Sequence, residues 1–378
     1  MFVNAYIQRA SSIIDAYNLE MPLTVYLKKY FKINKQFGSR DRKYITELIV
    51  GFYKIGKQKT IASETIQMLA GSFLSGNLPL LFFQKVNNSL AENYHLSFDE
   101  KLSFVKKEFN IEIELPFALT DSISKEEYIQ YLFSNSNVFI RIRNNKKTIE
   151  NSLQKNNISF KNISEDCIAL PSNTNIAQVL TKVDEYVIQD FSSQMVGEYF
   201  HPKPNETWWD CCAASGGKSI LLLDKKINIH LLVSDIRESI LQNLKTRMSQ
   251  YHYAQHYNAK VIDMCKPINL LEKYDRIILD APCSGSGTWG RNAEQFYFFT
   301  KEKLKEFQLL QKNILKNALQ RLNEQGVLYY ITCSIFENEN EKIMSGLDKE
   351  KYKIVQQKLL NAIEFGGDCI FFAEIKKI

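Results

Sequence analysis

The first part of the chain, to about residue 110, repeats apolar side chains at the three- and four-residue spacing of amphipathic helices. The clearest set is Tyr44, Ile45, Leu48, Ile49 and Phe52. Polar residues fill the positions between them, as they do on the solvent side of a helix. The pattern predicts a small bundle of helices at the front of the protein.

Between about residues 115 and 190 the pattern changes to short β-like runs separated by Asn-rich turns. The run 138–143 alternates apolar residues with Arg141 and Arg143, which predicts a strand with a positively charged exposed face. Such a face suits a phosphate backbone, but edge strands also carry charge to prevent aggregation. The sequence leaves both interpretations open.

From about residue 205 to the end, strand-like and helix-like segments alternate, which is typical of an open parallel sheet. The predicted strands are Thr207–Asp210, Leu231–Asp235, Ala259–Asp263, Arg276–Asp280, Val327–Thr332 and Ile370–Glu374. Ligands of doubly wound sheets bind at the carboxyl ends of the strands. We therefore expect Asp210, Asp235, Asp263 and Asp280 to converge on one crevice.

Composition narrows the class of protein. At 378 residues, with 45% apolar and 24% charged residues, the chain is long enough for two or three globular domains. No apolar stretch approaches the length of about 20 residues that a membrane span needs, and the first residues lack the pattern of a secretion signal. The seven cysteines are scattered and form no C-x-x-C pair, so we expect reduced thiols, no metal site and a cytoplasmic location.

The excess of positive charge lies at the front. Residues 1–150 hold 20 Lys and Arg against 15 Asp and Glu, whereas the remaining residues are nearly neutral, with 28 against 27. The stretch 35–44 interleaves cations and aromatic residues, as RNA-contacting surfaces do, and Arg40 and Arg42 are its candidate ligands. A basic helix start capped by Ser39 or Asp41 explains the same stretch equally well.

A glycine-containing loop follows the first strand of the C-terminal region, in the sequence DCCAASGGKS of Asp210–Ser219. Its ending matches a phosphate-binding P-loop, but that motif requires a glycine where Cys212 stands. The dinucleotide pattern G-x-G-x-x-G is also absent. S-adenosylmethionine has a ribose but no phosphate and fits such a loop, with Asp235 accepting bonds from the ribose hydroxyls and Asp263 near the adenine amino group.

Two cysteines follow the fourth and fifth strands of this region. Neighbouring strands lie about 4.8 Å apart, so we expect Cys283 and Cys333 to face one crevice beside Asp280. Such a site suits methylation of cytosine at carbon 5, because that carbon becomes nucleophilic only after a thiolate adds to carbon 6. Cys167, Cys265 and Cys369 are interpreted as buried small apolar residues.

Four segments of the chain resemble one known family. They are QDFSSQ (189–194), DCCAASGGKS (210–219), DAPCSGSG (280–287) and YITCSI with ENE (330–335 and 339–341). In this order they resemble the Sun/Nop family of RNA 5-methylcytosine methyltransferases, most closely its bacterial small-subunit ribosomal RNA members. Upstream, residues 38–51 resemble more weakly the NusB-like RNA-binding domain of those members, and residues 141–144 resemble the start of their linking subdomain.

The resemblance implies an α/β fold: a class I methyltransferase domain (196–378) with a Rossmann-like, mostly parallel doubly wound sheet, preceded by an all-α NusB-like domain (1–115) and an α+β linking subdomain (116–195). It implies that Cys333 is the nucleophile, that Cys283 assists product release, and that Asp280 and Lys218 contact the cytosine or stabilise its adduct. The residues implied to bind S-adenosylmethionine are Cys212, Ala213, Ala214, Ser215, Gly216, Gly217, Lys218, Asp235, Asp263 and Asp280. The implied partner is RNA, with Arg40, Arg42, Arg141, Arg143 and Arg291 as candidate contacts, and we expect a monomer acting on small-subunit ribosomal RNA.

Three positions depart from the family pattern. Ser215 replaces a proline, which we expect to loosen the first loop, and Gly290 and Ala293 stand where the family usually has Arg and Pro. Of an arginine pair only Arg291 remains. Two other functions stay open: a DNA cytosine-5 methyltransferase, in which the cysteine of the Pro-Cys loop is the nucleophile, and a non-catalytic RNA-binding or assembly protein that retains the fold.

Overall fold

The computed structural model describes residues 3–57, 62–268 and 272–378. The helices are α1 (Val3–Ala16), α2 (Leu23–Ile33), α3 (Ser39–Ile55), α4 (Glu64–Ser75), α5 (Leu80–Phe83), α6 (Asn88–Glu92), α7 (Phe98–Phe109), α8 (Lys125–Phe133), α9 (Lys146–Lys155), α10 (Ile176–Val179), α11 (Phe191–Met195), α12 (Gly217–Leu223), α13 (Glu238–Gln250), α14 (Ala293–Phe298), α15 (Lys301–Leu319) and α16 (Glu341–Met344). The strands are β1 (Asn137–Ile142), β2 (Lys161–Asn162), β3 (Cys167–Pro171), β4 (Tyr186–Ile188), β5 (Thr207–Asp210), β6 (His230–Asp235), β7 (Asn258–Val261), β8 (Tyr274–Asp280), β9 (Leu322–Thr332), β10 (Tyr352–Asn361) and β11 (Cys369–Lys377). No helix in these ranges is long and apolar enough to cross a membrane.

The chain packs into two compact units. The first consists of residues 1–117, 124–135 and 288–300, and the second of 118–123, 136–287 and 301–378. The described part of the first unit is helical, which confirms the helices predicted from the apolar spacing. The NusB-like character of this unit and the division at residues 115 and 195 stay predictions.

Helices α3 and α4 of the first unit approach each other closely because glycines face each other where they meet. A Cβ atom on Gly71 would lie 2.0 Å from the carbonyl oxygen of Gly51. Around this contact the apolar side chains predicted to face inward on α3, Ile45, Leu48 and Ile49, are fully buried. The apolar residues that recur every three or four positions in this segment therefore form the face by which α3 packs.

The second unit contains a small antiparallel sheet with the strand order β2-β3-β1-β4. The prediction that β1 presents an exposed cationic face is wrong. Arg141 is only 8% exposed, and its guanidinium lies 2.5 Å from the carboxylate of Asp224, which also pairs with Arg143 at 2.9 Å. The Arg143 guanidinium stacks 4.8 Å from the centre of the Tyr251 ring. Both cations are occupied inside the unit and are not available to a phosphate backbone.

The large sheet of the second unit has the order β10-β11-β9-β8-β5-β6-β7. Strands β9, β8, β5, β6 and β7 run parallel, and β11 and β10 continue the sheet in antiparallel pairing. The predicted adjacency of the fourth and fifth strands is confirmed, since β8 pairs with β9 from Tyr274 to Asp280. The sheet is the mostly parallel, doubly wound arrangement expected from the sequence.

Two details of this sheet differ from the prediction. Strand β7 ends at Val261, so Asp263 lies two residues beyond the strand in the following loop. The sequence also gave no sign of β10, whose surface alternates exposed and partly buried residues and includes Lys353, Gln356, Gln357 and Lys358. An edge strand that is polar on one side lacks the apolar run by which the other strands were recognised.

Candidate active site

The carboxyl ends of β5, β6, β8 and β9 meet at one edge of the large sheet, where polar side chains collect. Asp210, Asp235 and Asp280 are the last residues of β5, β6 and β8, as predicted, and Cys333 follows the last residue of β9. Parallel strands place their carboxyl ends at the same edge of the sheet because they run in the same direction. The crevice predicted from the four aspartates is therefore formed by three of them.

The loop between β5 and α12 is held in an unusual backbone conformation. Ala214 has a φ of 46° and Gly216 a φ of 82°, both in the left-handed region. The Ala213 amide donates to the Ser234 carbonyl at 2.9 Å, and the Ala214 amide donates to the Asp235 carboxylate at 3.1 Å. A Cβ atom on Gly217 would find only the Gln189 amide nitrogen within 4 Å, at 3.9 Å. The loop thus leaves open space against its backbone, as a cofactor cradle requires.

Three further residues predicted to bind the cofactor in this loop differ in their exposure to solvent. Cys212 is partly exposed, Ala213 is buried and Ser215 is exposed. The guanidinium of Arg247 donates to both the carbonyl and the hydroxyl oxygen of Ser215, each at 3.1 Å. The expected loosening by the missing proline is therefore opposed by a contact that the sequence did not indicate.

Asp210 is fully buried at the base of this loop. Its Oδ2 accepts a hydrogen bond from the Ser219 hydroxyl at 2.5 Å, whereas Oδ1 has no hydrogen-bond partner among the described residues. Burial, with a smaller contribution from the Asp280 carboxylate, raises the pKa of Asp210 to about 7 against the opposing effect of the Ser219 bond and Lys218. A buried acceptor without a partner at the cofactor loop fits a ligand that brings a donor or a positive charge.

The other two aspartates already have partners within the protein. Both carboxylate oxygens of Asp235 accept bonds from the Arg237 side chain, at 3.0 and 3.2 Å. Asp263 accepts the Cys265 amide at 3.0 Å and pairs with Lys266 at 3.3 Å. In this arrangement a ribose reaches Asp235 only where the exposed Arg237 side chain gives way.

Lys218 connects the cofactor loop to the end of β8. Its ammonium lies 3.0 Å from the Asp280 carboxylate and donates to the Ser193 hydroxyl at 2.9 Å. Burial lowers the pKa of Lys218, but the negative charges of Asp280 and Cys333 outweigh burial and raise it. The side chain is therefore a fixed, protonated cation between the aspartate and the thiol. Sequence analysis identified Lys218 and Asp280 but missed Ser193, which belongs to the quoted QDFSSQ segment.

Cys283 and Cys333 lie together in the crevice, each partly exposed. A hydrogen bond to Cys333, together with burial and the charges of Cys333 and Glu339, raises the pKa of Cys283 well above its usual range. The Gly287 amide donates to the Cys333 carbonyl at 2.9 Å, and a Cβ atom on Gly287 would lie 2.1 Å from the Cys369 carbonyl oxygen. Only glycine permits this close approach of the Cys283 loop to the start of β11.

The other cysteines follow the prediction with one exception. Cys167 and Cys369 are buried, as expected of small apolar side chains, but Cys265 is exposed. Cys265 lies in the loop after β7, beyond the observed end of the strand at Val261 and also beyond its predicted end at Asp263. Sequence analysis also missed Glu339 as a functional candidate: it is fully buried and contacts both thiol-bearing loops.

The candidate RNA contacts in the first unit have different environments. Arg40 is exposed and, with Lys43 and Tyr44, lines a cavity of about 530 Å³ beside the start of α3. Arg42 is partly buried and donates to the Phe37 carbonyl at 2.8 Å. The Asp41 carboxylate accepts the Gly38 amide at 2.9 Å, so this stretch is the capped helix start that the sequence allowed. Of the two arginines, Arg40 is the one placed to meet a ligand.

The departures from the family pattern near Arg291 have a steric explanation. A Cβ atom on Gly290 would lie 2.7 Å from the ring of Tyr131 within the same unit, so no arginine side chain fits there. Ala293 is buried as the first residue of α14. Arg291 itself is exposed. At position 290, packing of the glycine against Tyr131 takes the place of the arginine that is usual in the family.

Comparison with known proteins agrees with this geometry. Residues 198–366 match the family described as 16S rRNA methyltransferase RsmB/F. The ribosomal RNA small subunit methyltransferase B of Proteus mirabilis is 32% identical over 196 residues, covering 50% of this chain and 46% of that protein. The Shewanella oneidensis protein of the same name is 33% identical over 188 residues, covering 48% and 43%. The matches thus span less than half the length of these relatives.

Solved structures share the fold. The structure of PH0851 covers 93% of this chain and 93% of its own with a TM-score of 0.64 at 18% identity. NSun6 from Pyrococcus horikoshii, solved with SFG, covers 67% of this chain and 94% of its own with a TM-score of 0.59 at 14% identity. The sheet order and these likenesses show a class I methyltransferase fold, and residues 198–366 of the chain match the RsmB/F methyltransferase family.

Proposed function

We propose that this protein transfers a methyl group from S-adenosylmethionine to carbon 5 of a cytosine in small-subunit ribosomal RNA. The observation that carries the proposal is that the paired strands β8 and β9 bring two thiols, Cys283 and Cys333, together beside the Lys218–Asp280 ion pair. Carbon 5 of cytosine requires a nucleophile at carbon 6 before it can accept a methyl group, and a second group must help to release the enzyme. Two thiols in one crevice supply both.

The cofactor would lie against the loop 212–218. The open space at Gly217 and the partnerless Oδ1 of Asp210 fit S-adenosylmethionine, whose methionine part carries an amino donor and a positive charge. When bound, the cofactor supplies the electrophilic methyl group. Asp235 and Asp280, at the ends of β6 and β8, and Asp263, in the loop after β7, would contact the rest of the cofactor.

The side chains then divide the chemistry. The Cys333 thiolate adds to carbon 6, and the electron pair of the 5,6 double bond becomes available at carbon 5, which takes the methyl group. Asp280 would accept a hydrogen bond from the exocyclic amino group, and the Lys218 ammonium beside it would offset the negative charge that develops on the ring. A water molecule takes the proton from carbon 5, and the electron pair of that bond returns to the double bond and expels the sulfur of Cys333. Cys283, still a thiol because its pKa is raised, assists this release by giving its proton to the departing sulfur and is reprotonated from solvent.

The RNA substrate is proposed from the relatives and from the first unit. The curated relatives are named small-subunit rRNA methyltransferases, and Arg40 with Lys43 and Tyr44 offers cations and an aromatic ring to RNA at one cavity. We include in the proposal the three-domain division at residues 115 and 195, a cytoplasmic location and a monomeric state. The target base must leave any stack to reach the crevice.

The test uses the purified full chain with methyl-labelled S-adenosylmethionine and, separately, total RNA, assembling small subunits and DNA, each digested to nucleosides. We expect label in 5-methylcytidine from RNA, no label with Cys333→Ala, and a denaturation-resistant protein–RNA complex with Cys283→Ala. Cys167→Ala, which removes a buried thiol outside the crevice, is the matched control and should behave as the wild type.

Each other outcome contradicts the proposal in a different way. Labelled product from the Cys333→Ala enzyme would remove Cys333 as the nucleophile. Label in DNA that depends on Cys283 would support the DNA methyltransferase alternative. No label with any of the three substrates, alongside RNA binding, would support a non-catalytic RNA-binding protein.

A further inference from the structure

A fully buried carboxylate lies directly behind the two thiols. Glu339, in the 3₁₀ turn Glu337–Glu339, has no exposed surface and no ion-pair partner among the described residues. Its oxygens instead accept four hydrogen bonds, from the amide and hydroxyl of Ser284, the hydroxyl of Ser334 and the side-chain amide of Gln311. Leaving a carboxylate buried without a cation is costly, and it is tolerated where all its acceptor sites are filled.

The donors to Glu339 belong to the two loops that carry the thiols. Ser284 is the residue after Cys283, and Ser334 is the residue after Cys333. The Ser284 amide lies 2.8 Å from Oε1, while both serine hydroxyls reach Oε2 at 2.5 Å. One side chain therefore connects the backbone of the first loop with the second loop. The Ser286 hydroxyl, 3.1 Å from that of Ser334, extends the same contact.

The two loops depend on this carboxylate unequally. The Cys333 loop has anchors of its own: the Asn340 side chain donates to the Ser334 carbonyl at 2.9 Å and accepts from Thr332 at 2.6 Å. The Cys283 loop is held from behind by Gln311, which donates to the Pro282 carbonyl at 3.0 Å and itself contacts Glu339. Since Glu339 accepts two bonds from Ser284 and only one from Ser334, removing the carboxylate takes more support from the Cys283 loop than from the Cys333 loop.

We propose that Glu339 is a positioning residue for Cys283: its carboxylate fixes the Cys283 loop against the Cys333 loop, so that Cys283 reaches the adduct during release. The proposal rests on the function proposed above. In this role Glu339 touches neither RNA nor cofactor and acts on release only through the position of Cys283. Misplacement of a reacting group by about 1 Å costs on the order of a hundredfold in rate, so a loosened loop is enough to slow release.

The test measures two quantities on the same enzyme: the turnover of labelled RNA and the fraction of protein trapped as a denaturation-resistant RNA adduct. For Glu339→Ala we expect turnover to fall at least about tenfold and the adduct fraction to rise several-fold toward that of Cys283→Ala. Glu339→Gln can still accept from Ser284 and Gln311 and donate to the two hydroxyls, so its turnover should stay within about threefold of the wild type.

A merely structural role gives a different pattern. If Glu339→Ala lowers turnover and adduct together, or leaves the adduct at the wild-type fraction, the positioning role is wrong. Glu185→Ala, which removes another buried carboxylate of the same unit, is the matched control and should not accumulate adduct. If Glu339→Ala does not fold, as judged by circular dichroism, Ser284→Ala takes its place. It removes one hydroxyl donor and should also raise the adduct fraction, and an unchanged fraction refutes the proposal.

The same experiment separates this inference from the proposed function. A Cys283→Ala enzyme that forms no adduct would remove the function proposed for the thiols and the inference with it. A Cys283→Ala enzyme that forms adduct while Glu339→Ala does not would leave the function in place and remove only the role of Glu339.

Discussion

Replacing Asp210 by asparagine should remove one defined part of the pH dependence of stability. The Asp210 carboxyl is fully buried, and burial is the main reason why its pKa is raised from 3.8 to about 7 in the folded protein. In the unfolded chain the same group titrates near its ordinary value. Between these two pKa values the folded state holds a proton that the unfolded state has released.

The sign and size follow from linkage. Because the folded state binds the extra proton, the free energy of unfolding falls as pH rises from about 4 to about 7, by about 1.4 kcal/mol per pH unit. Over the whole interval the loss is about 4 kcal/mol, since the pKa is raised by about 3 units. An asparagine at this position cannot ionise and still accepts the Ser219 hydroxyl, so the variant should lack this slope.

The assay can be confined to the sheet that contains Asp210. Trp208 and Trp209 are buried in the same strand, so urea unfolding followed by tryptophan fluorescence in a Trp289→Phe background reports on this region. Stability is measured at pH 5, 6, 7 and 8 without cofactor. Asp275→Asn is the control: the pKa of Asp275 is lowered despite burial, by hydrogen bonds led by the Thr207 amide, so this contribution is lost only in acid. Parallel wild-type and Asp210→Asn curves over pH 5–7 would refute the reasoning.

Further predictions concern Ser193, which accepts a hydrogen bond from Lys218, and the two arginines Arg141 and Arg40. Ser193→Ala removes an acceptor of the Lys218 ammonium and should lower kcat about tenfold with the KM for RNA unchanged. The reason is that a hydrogen bond to a charged group contributes about 1.5 kcal/mol. Steady-state kinetics that show only a raised KM would contradict this prediction. Arg141→Gln removes one of the two arginines paired with Asp224 and should cost about 2 kcal/mol of stability, because a hydrogen bond to a charged group is lost, without altering the salt dependence of RNA binding. Arg40→Gln should weaken RNA binding and reduce the salt slope by about 1. Unfolding curves and binding titrations at several salt concentrations distinguish the two arginines.

The elements that the sequence predicted well are those with a strong apolar period. Strand β5 was predicted to the residue, and β6 and β8 within two residues, because buried parallel strands are continuous apolar runs ending in aspartate. Strand β10 was missed because its exposed side is rich in Lys and Gln. The end of β7 was misplaced because the chain leaves the sheet before the aspartate that ended the other strands.

The error at Arg141 and Arg143 has a general physical cause. Alternation along a strand shows which residues share a face, but not what covers that face. Here Asp224, more than 80 residues away in the sequence, pairs with both cations inside the unit. The isolated sequence could not distinguish this ion pair from a phosphate-binding face, because either one requires the same two arginines.

The two thiols of the crevice were easier to predict from the sequence than the residues around them. It is these surrounding residues that make the two cysteines different. Adjacency of two strands brings Cys283 and Cys333 together but gives them the same neighbourhood. The difference comes from Lys218, a cation whose pKa reflects the nearby Cys333, and from Glu339, an anion that helps to raise the pKa of Cys283. The raised pKa keeps Cys283 a thiol, which suits a group that assists release. It argues against the DNA methyltransferase alternative, which requires the thiolate at Cys283.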